Sequence, residues 1–201
     1  MADIVLTSGM LCRPYRSPWG AFPSRTMAVS SGVSSAAIYP GSILTLDYAD
    51  AAAQTSNAGT VKASTGTAAV PTFYIAGISG QGASGSTATQ QVTKVTFFEA
   101  NPMVEFKAVT KGGVIASSNI GITRKLTWDS TLNIAYVELA ASTAAEHRVV
   151  ITENCPKDGG ASPLGDSGGF VAFRFLQSIT GAIQGTTALY NSSTPILAFY
   201  R

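Results

Sequence analysis

Along most of this chain, hydrophobic and polar residues alternate with a period of two. Between residues 103 and 109, Val104, Phe106 and Ala108 fall on one side and Glu105 and Lys107 on the other, the pattern of a strand with one wet face. Val171, Phe173 and Phe175 alternate in the same way with Ala172 and Arg174. Leu132, Ile134 and Tyr136 alternate with Asn133, Ala135 and Val137. Residues 43–46, 72–78 and 92–98 are rich in β-branched and aromatic side chains, which suit a pleated surface. Shorter or weaker strands are expected at 4–7, 25–33, 114–117, 121–123, 125–128, 147–152 and 179–189. A last apolar strand at 196–201 must pair or remain a sticky edge. Tyr39-Pro40-Gly41-Ser42, Glu99-Ala100-Asn101-Pro102, Lys111-Gly112-Gly113 and Asp129-Ser130-Thr131 carry turn chemistry. Residues 50–70 hold little to bury and read as a long surface excursion with one short strand near 60–62. Only the alanine-rich residues 140–146 predict a helical turn. Roughly nine to twelve strands with almost no helix make the chain all-β, a β-sandwich or β-barrel with long Ser/Ala/Gly-rich loops.

The N-terminal stretch breaks the alternation. Pro14, Pro18 and Pro23 forbid a helix across residues 11–23 and favour an extended run. That run carries Arg13, Tyr15, Arg16, Trp19 and Phe22. Aromatic residues and arginine are enriched at interfaces, so these five are the candidate subunit or shell contacts. The run either folds back on its own domain or reaches a neighbouring subunit. The expected organisation is an extended arm over 1–24 followed by one β-rich domain over 25–201.

Composition narrows the function classes. Only 12% of the 201 residues are charged, against about 25% in an average soluble domain. A surface of Ser, Thr, Ala, Gly and Asn suits a chain held in an assembly better than one kept apart by charge. The net charge is +2 and no cluster of Lys or Arg forms a basic stripe, so no nucleic-acid partner is expected. No apolar run is long enough for a membrane-spanning helix, so no membrane partner is expected either. The first residues lack a basic and apolar leader pattern, and synthesis is expected in the cytoplasm. Cys12 and Cys155 are too few for a four-ligand zinc site and are expected as free, buried thiols, although spacing alone leaves a disulfide open.

Three short motifs invite a chemical reading. Gly165-Asp166-Ser167-Gly168-Gly169 looks like the nucleophile loop of trypsin-like serine proteases. A serine nucleophile needs a positioned base, and the sole histidine, His147, lies 20 residues before Ser167. The family places its histidine and its serine in different barrels. Here His147, Asp158 and Ser167 fall within one hairpin, with Arg148 and Phe170 where the family has cysteine and proline. The stretch is read as a turn feeding a core strand, and His147, on the side of Val149 and Ile151, as a hydrogen-bonded structural residue. Gly80-Gln81-Gly82-Ala83-Ser84-Gly85 is a literal G-x-G-x-x-G. A dinucleotide site needs a helix to open there, and the residues that follow are β-branched without helical spacing. Trp128-Asp129 has no repeat at propeller spacing. No catalytic residue, cofactor or metal is assigned.

The run from Glu99 to Val109, then Trp128-Asp129-Ser130-Thr131-Leu132, then 141–153 and Gly165-Asp166-Ser167-Gly168-Gly169, resembles structural proteins of tailed double-stranded DNA phages. Among these the chain is most similar to head decoration, or cement, proteins. The resemblance covers a little over a third of the sequence. It implies a β-rich protein bound to major capsid protein subunits outside the head, often as a homotrimer. It also implies residence on the capsid surface of a virion after synthesis in a host cytoplasm. It carries no catalytic residues. Other expectations are a minor capsid, tail or fibre-base component, a serine hydrolase using Ser167, and a glycan-binding module.

Overall fold

The computed structural model describes residues 10–30, 38–47, 60–64, 75–82, 94–142, 146–156 and 164–176. Eleven strands and one short 3-10 turn make up the regular structure of these residues, and the chain is all-β. The strands are β1 (Arg13–Arg16), β2 (Ser24–Val29), β3 (Ile43–Asp47), β4 (Thr60–Ala63), β5 (Ile75–Ser79), β6 (Lys94–Glu99), β7 (Glu105–Lys111), β8 (Thr123–Asp129), β9 (Ile134–Glu138), β10 (Val149–Cys155) and β11 (Phe170–Phe175). The strands expected at 4–7, 179–189 and 196–201 lie outside the described residues, as do Asp158 and most of 50–70.

Two closed rings of strands follow one another along the chain. The first is a closed barrel in the order β2-β4-β3-β5-β6. The second joins β7, β11, β10, β8 and β9, and a parallel pairing of β9 with β7 closes it. Written from its first strand, the first ring runs first-third-second-fourth-fifth, and the second ring does the same. In each, the first and third strands pair in parallel and every other pairing is antiparallel. The chain thus folds the same five-strand connectivity twice. The two glycine-rich motifs occupy equivalent places. Gly80–Gly82 leave the fourth strand of the first barrel, and Gly165–Gly169 enter the fifth strand of the second. Both are parts of a hairpin connection.

Alternation sorts the side chains between the barrels. Met27, Val29, Leu44, Val61, Ala76, Val95 and Phe97 fill the first barrel with Ile38. Phe106, Ala108, Leu126, Ala135, Val137, Val149, Ile151, Val171, Phe173 and Phe175 fill the second. Phe106, Phe173 and Phe175 form an aromatic cluster, with ring centroids 5.1 to 5.9 Å apart. The second core continues across the junction through Ile43, Ile78, Ala100 and Val104, with Phe22 and Phe98 packed against it. On β3, Leu44 therefore points into its own barrel and Ile43 toward the other. Trp128 at the end of β8 stacks on Tyr39 just before β3, at 6.3 Å and an interplanar angle of 22°. Apolar side chains of both barrels thus share one core at this junction, a contact that hydrophobic burial favours.

Two sequence expectations are corrected. Residues 114–117 are not a strand; Ser117–Asn119 form a 3-10 turn, held by Asn119 accepting the Ala116 N–H at 2.7 Å. The two short strands at 121–123 and 125–128 are one strand, β8, because nothing interrupts their pairing with β9 and β10. In β9 the core face is Ala135 and Val137, while Tyr136 is half-buried on the other side. Of the helical turn expected over 140–146, Glu146 is in 3-10 conformation, residues 140–142 are not helical, and residues 143–145 lie outside the described residues.

Candidate functional site

The expected contact residues split into a pinned strand and an exposed turn. Arg13, Tyr15 and Arg16 lie on β1, which pairs antiparallel with the first half of β7. Among the described residues β1 pairs only with β7, and at such an edge position the missing N–H of Pro14 goes unmissed. The outer face of the sheet then clamps the strand. The Arg16 guanidinium donates to Glu153 at 2.5 Å and sits 3.5 Å from Glu105, and Arg174 donates to Glu105 at 3.0 Å. Charges thus alternate across β1, β7, β11 and β10. The hydrogen bond to Glu153 raises the Arg16 pKa. Tyr15 lies under the Arg16 guanidinium at 4.5 Å and near the Lys107 ammonium at 5.6 Å.

Beyond β1, Ser17 to Ala21 form a turn. The Ser17 hydroxyl donates to the Ala21 carbonyl at 2.6 Å, and the Gly20 N–H donates to the Ser17 carbonyl at 3.3 Å. Gly20 has φ of +71°, a left-handed conformation that suits glycine. At the tip, Trp19 is 58% exposed, the most exposed large hydrophobic residue among those described. Phe22 turns back and packs edge-on against Phe98 at 6.2 Å. The run therefore folds onto its own chain through Cys12, β1 and Phe22, and presents Trp19 outward.

Beside β1 opens a cleft of about 470 Å³, lined by Met10, Leu11, Cys12, Pro40, Phe98 and Phe170 among others. Its wall is largely apolar. Cys12 is buried, and loss of hydration pushes its thiol far above the ordinary range, which favours the protonated form. Cys155 is also free and buried, with its thiol raised by burial first. Two intervening strands, β7 and β11, separate β1 from β10, which carries Cys155.

The structure separates the serine and the histidine. His147 Nδ1 is 2.7 Å from the Thr123 hydroxyl and Nε2 is 3.1 Å from the Ser142 hydroxyl, so both ring nitrogens are engaged. The ring is half-buried, and desolvation lowers its pKa. Ser167 is exposed in the connection entering β11, at the Cys155 end of the β10–β11 hairpin, whereas His147 precedes Val149 at the Phe175 end. At about 3.3 Å per residue, seven residues of β10 put roughly 20 Å between them. Among the described residues no group of three or more His, Cys, Asp and Glu side chains could hold a metal ion.

The sequence did not single out Glu105, Glu153 or Arg174 as partners of the N-terminal run. The wet-face alternation of Glu105 and Arg174 was the available signal. Comparison with protein-family models, curated proteins and solved structures finds no match.

Proposed function

We propose that this chain is a virion structural protein, a decoration protein that binds major capsid protein subunits on the outside of a phage head and staples the shell. The observation that carries the reading is Trp19, held outward on a short turn whose two flanks are fastened to the β body. A large aromatic side chain presented from a rigid base loses little conformational freedom on docking and acts as an anchor. The low charge of the sequence and the resemblance of its central and C-terminal stretches to head decoration proteins support the same reading. A homo-oligomer, with a trimer favoured by that resemblance, would multiply the contacts, and disassembly must then break several at once.

The test uses heads stripped of this chain and the purified protein added back. Deletion of residues 1–23 would remove β1 and bare the edge of β7, so a point variant is the cleaner probe. Trp19→Ala is expected to weaken binding by about thirtyfold, the effect of losing a hot-spot aromatic of about 2 kcal/mol. Unchanged binding would remove Trp19 as the anchor. Hundreds of copies per particle support decoration; a handful would point instead to a minor capsid or tail component.

A further inference from the structure

The repeated connectivity exposes a difference between the two barrels. In the second barrel, β7 has β11 along one edge. Its other edge is shared: β9 covers Val109 to Lys111, and β1 covers Glu105 to Lys107. In the first barrel, β2 has β6 along one edge, from Ser24 to Ala28. On its other edge β4 covers only Ala28 and Val29. Among the described residues, no strand covers the first half of that edge.

Backbone direction can be assigned on both strands. The Ser30 N–H donates to the Val61 carbonyl on the β4 side, and the Pro23 carbonyl accepts from the Glu99 N–H on the β6 side, each at 2.9 Å. Alternation then turns the N–H and C=O of Ser24 and Thr26 toward the uncovered edge. On β7, the Lys111 carbonyl accepts from the Leu139 N–H on the β9 side and the Thr110 N–H donates to Gly169 on the β11 side, so Glu105 and Lys107 face β1. Ser24 and Thr26 stand where Glu105 and Lys107 stand. One site is filled by an antiparallel strand, and at the other no strand pairs among the described residues.

We infer that the Ser24–Thr26 edge pairs with the same edge of a second copy of this chain, antiparallel about a two-fold axis. The two outward-facing residues are self-complementary in one register only: Ser24 of each copy opposite Thr26 of the other, with Arg25 opposite Arg25. A shift in either direction loses a bonding pair or runs into β4. The bonding positions carry Ser and Thr, both exposed, with none of the Lys or Pro that blunt an edge in a monomer. Each Arg25 is held by its own Glu99 at 2.9 Å, so the facing arginines arrive charge-balanced. A basic strand like β1 fits poorly, because no carboxylate stands at Ser24 where Glu105 receives Arg16. The contact is isologous and makes a pair, distinct from a threefold ring. It does not rest on the capsid reading.

Arg25 provides the test. Directly opposite residues in a non-hydrogen-bonded antiparallel pair have Cα atoms about 4.5 Å apart, within disulfide range. The native thiols of Cys12 and Cys155 are buried. With oxidised glutathione as oxidant, full-length Arg25→Cys is expected to form a covalent dimer at least tenfold faster than Arg25→Cys/Thr26→Pro. Proline at 26 removes an outward N–H and leaves the backbone bonds to β6 intact, while giving up the 2.8 Å contact of the Thr26 hydroxyl with the Thr96 hydroxyl on β6. Sedimentation of the otherwise wild-type protein is expected to shift from dimer toward monomer on Thr26→Pro. Thr26→Lys is the second variant should the proline version lose its far-ultraviolet β signal. The inference is overturned if Arg25→Cys stays monomeric, as it would if another segment of this chain covers the edge. Equal cross-linking in both backgrounds would also overturn it. Loss of dimerisation would leave binding of heads through Trp19 unaffected, so the two proposals fail separately.

Discussion

His147 and Ser167 sit at opposite ends of one hairpin, with the length of β10 between them. Both nitrogens of His147 are engaged by Thr123 and Ser142. With the chain's single imidazole the length of β10 away, Ser167 lacks histidine as its general base. An active-site fluorophosphonate probe is therefore expected to leave Ser167 unlabelled, as read by peptide mass spectrometry. Labelling abolished by His147→Ala would show that the two side chains meet in some state of the protein.

Acid sensitivity follows from the same histidine. Burial lowers its pKa below the ordinary 6.5, so the unfolded chain binds a proton more readily than the folded one. The stabilising contribution is complete above pH 6.5 and is lost as pH falls through the depressed folded value. Asp129 adds to the trend at lower pH. Its hydrogen bond from Lys111, together with the N–H groups of Leu132 and Thr131, lowers its pKa, and that stability fades as pH falls through the folded value. Thermal melts are expected to drop between pH 7 and 5, and His147→Gln is expected to flatten that part of the curve. A His147→Gln melt that still falls as steeply would place the effect elsewhere.

The strand pattern was legible because alternation survives folding here. Phe106 and Ala108 face the core as their spacing requires, and the 60–62 strand stands out within a polar stretch. Pairing was not legible. The parallel contacts of β2 with β4 and β7 with β9 join segments whose sequences share no repeat, so the duplicated connectivity is written in topology alone. The exposed Trp19 and pinned Tyr15 are equally aromatic in sequence. Their difference comes from partners far along the chain, Glu105, Glu153 and Lys107, which no local pattern links to β1. Strand 114–117 was misread because Val114 and Ile115 are β-branched, yet Ile115 pairs its backbone with Gly165 and Asp166 in a loop contact.

Glu105 is the central carboxylate of the clamp, buried to 8% exposure and approached by Arg16 and Arg174. Glu105→Ala leaves two guanidinium groups without it and bares part of the β1–β7 contact. Loss of a hydrogen bond to a charged group costs about 1.5–3 kcal/mol. The expected outcome is a lower denaturation midpoint with faster proteolysis near residues 10–20. Arg16→Ala is expected to loosen β1 without lowering the global midpoint as much, because its side chain is 55% exposed. Equal midpoints for Glu105→Ala and wild type would remove the clamp as a stabilising feature.

Gly77 tests the wall between the barrels. It lies in β5 opposite Glu99 and beside the register shift between β3 and β5. A Cβ there would run into the Phe98 carbonyl, and Phe98 is backbone-bonded in β6 and edge-packed on Phe22. Neither partner can yield without disturbing the junction core. Gly77→Ala is therefore expected to destabilise by about 1–3 kcal/mol, the usual cost of overpacking. Phe173→Ala, which empties the centre of the second barrel's aromatic cluster, is expected to cost about 3–5 kcal/mol. Denaturant unfolding followed by Trp fluorescence reads both. Because Ile43 and Ile78 of the first barrel belong to the core that Phe173 fills, the two barrels are expected to unfold in one transition. Two separated transitions in wild type would show that the junction does not couple them.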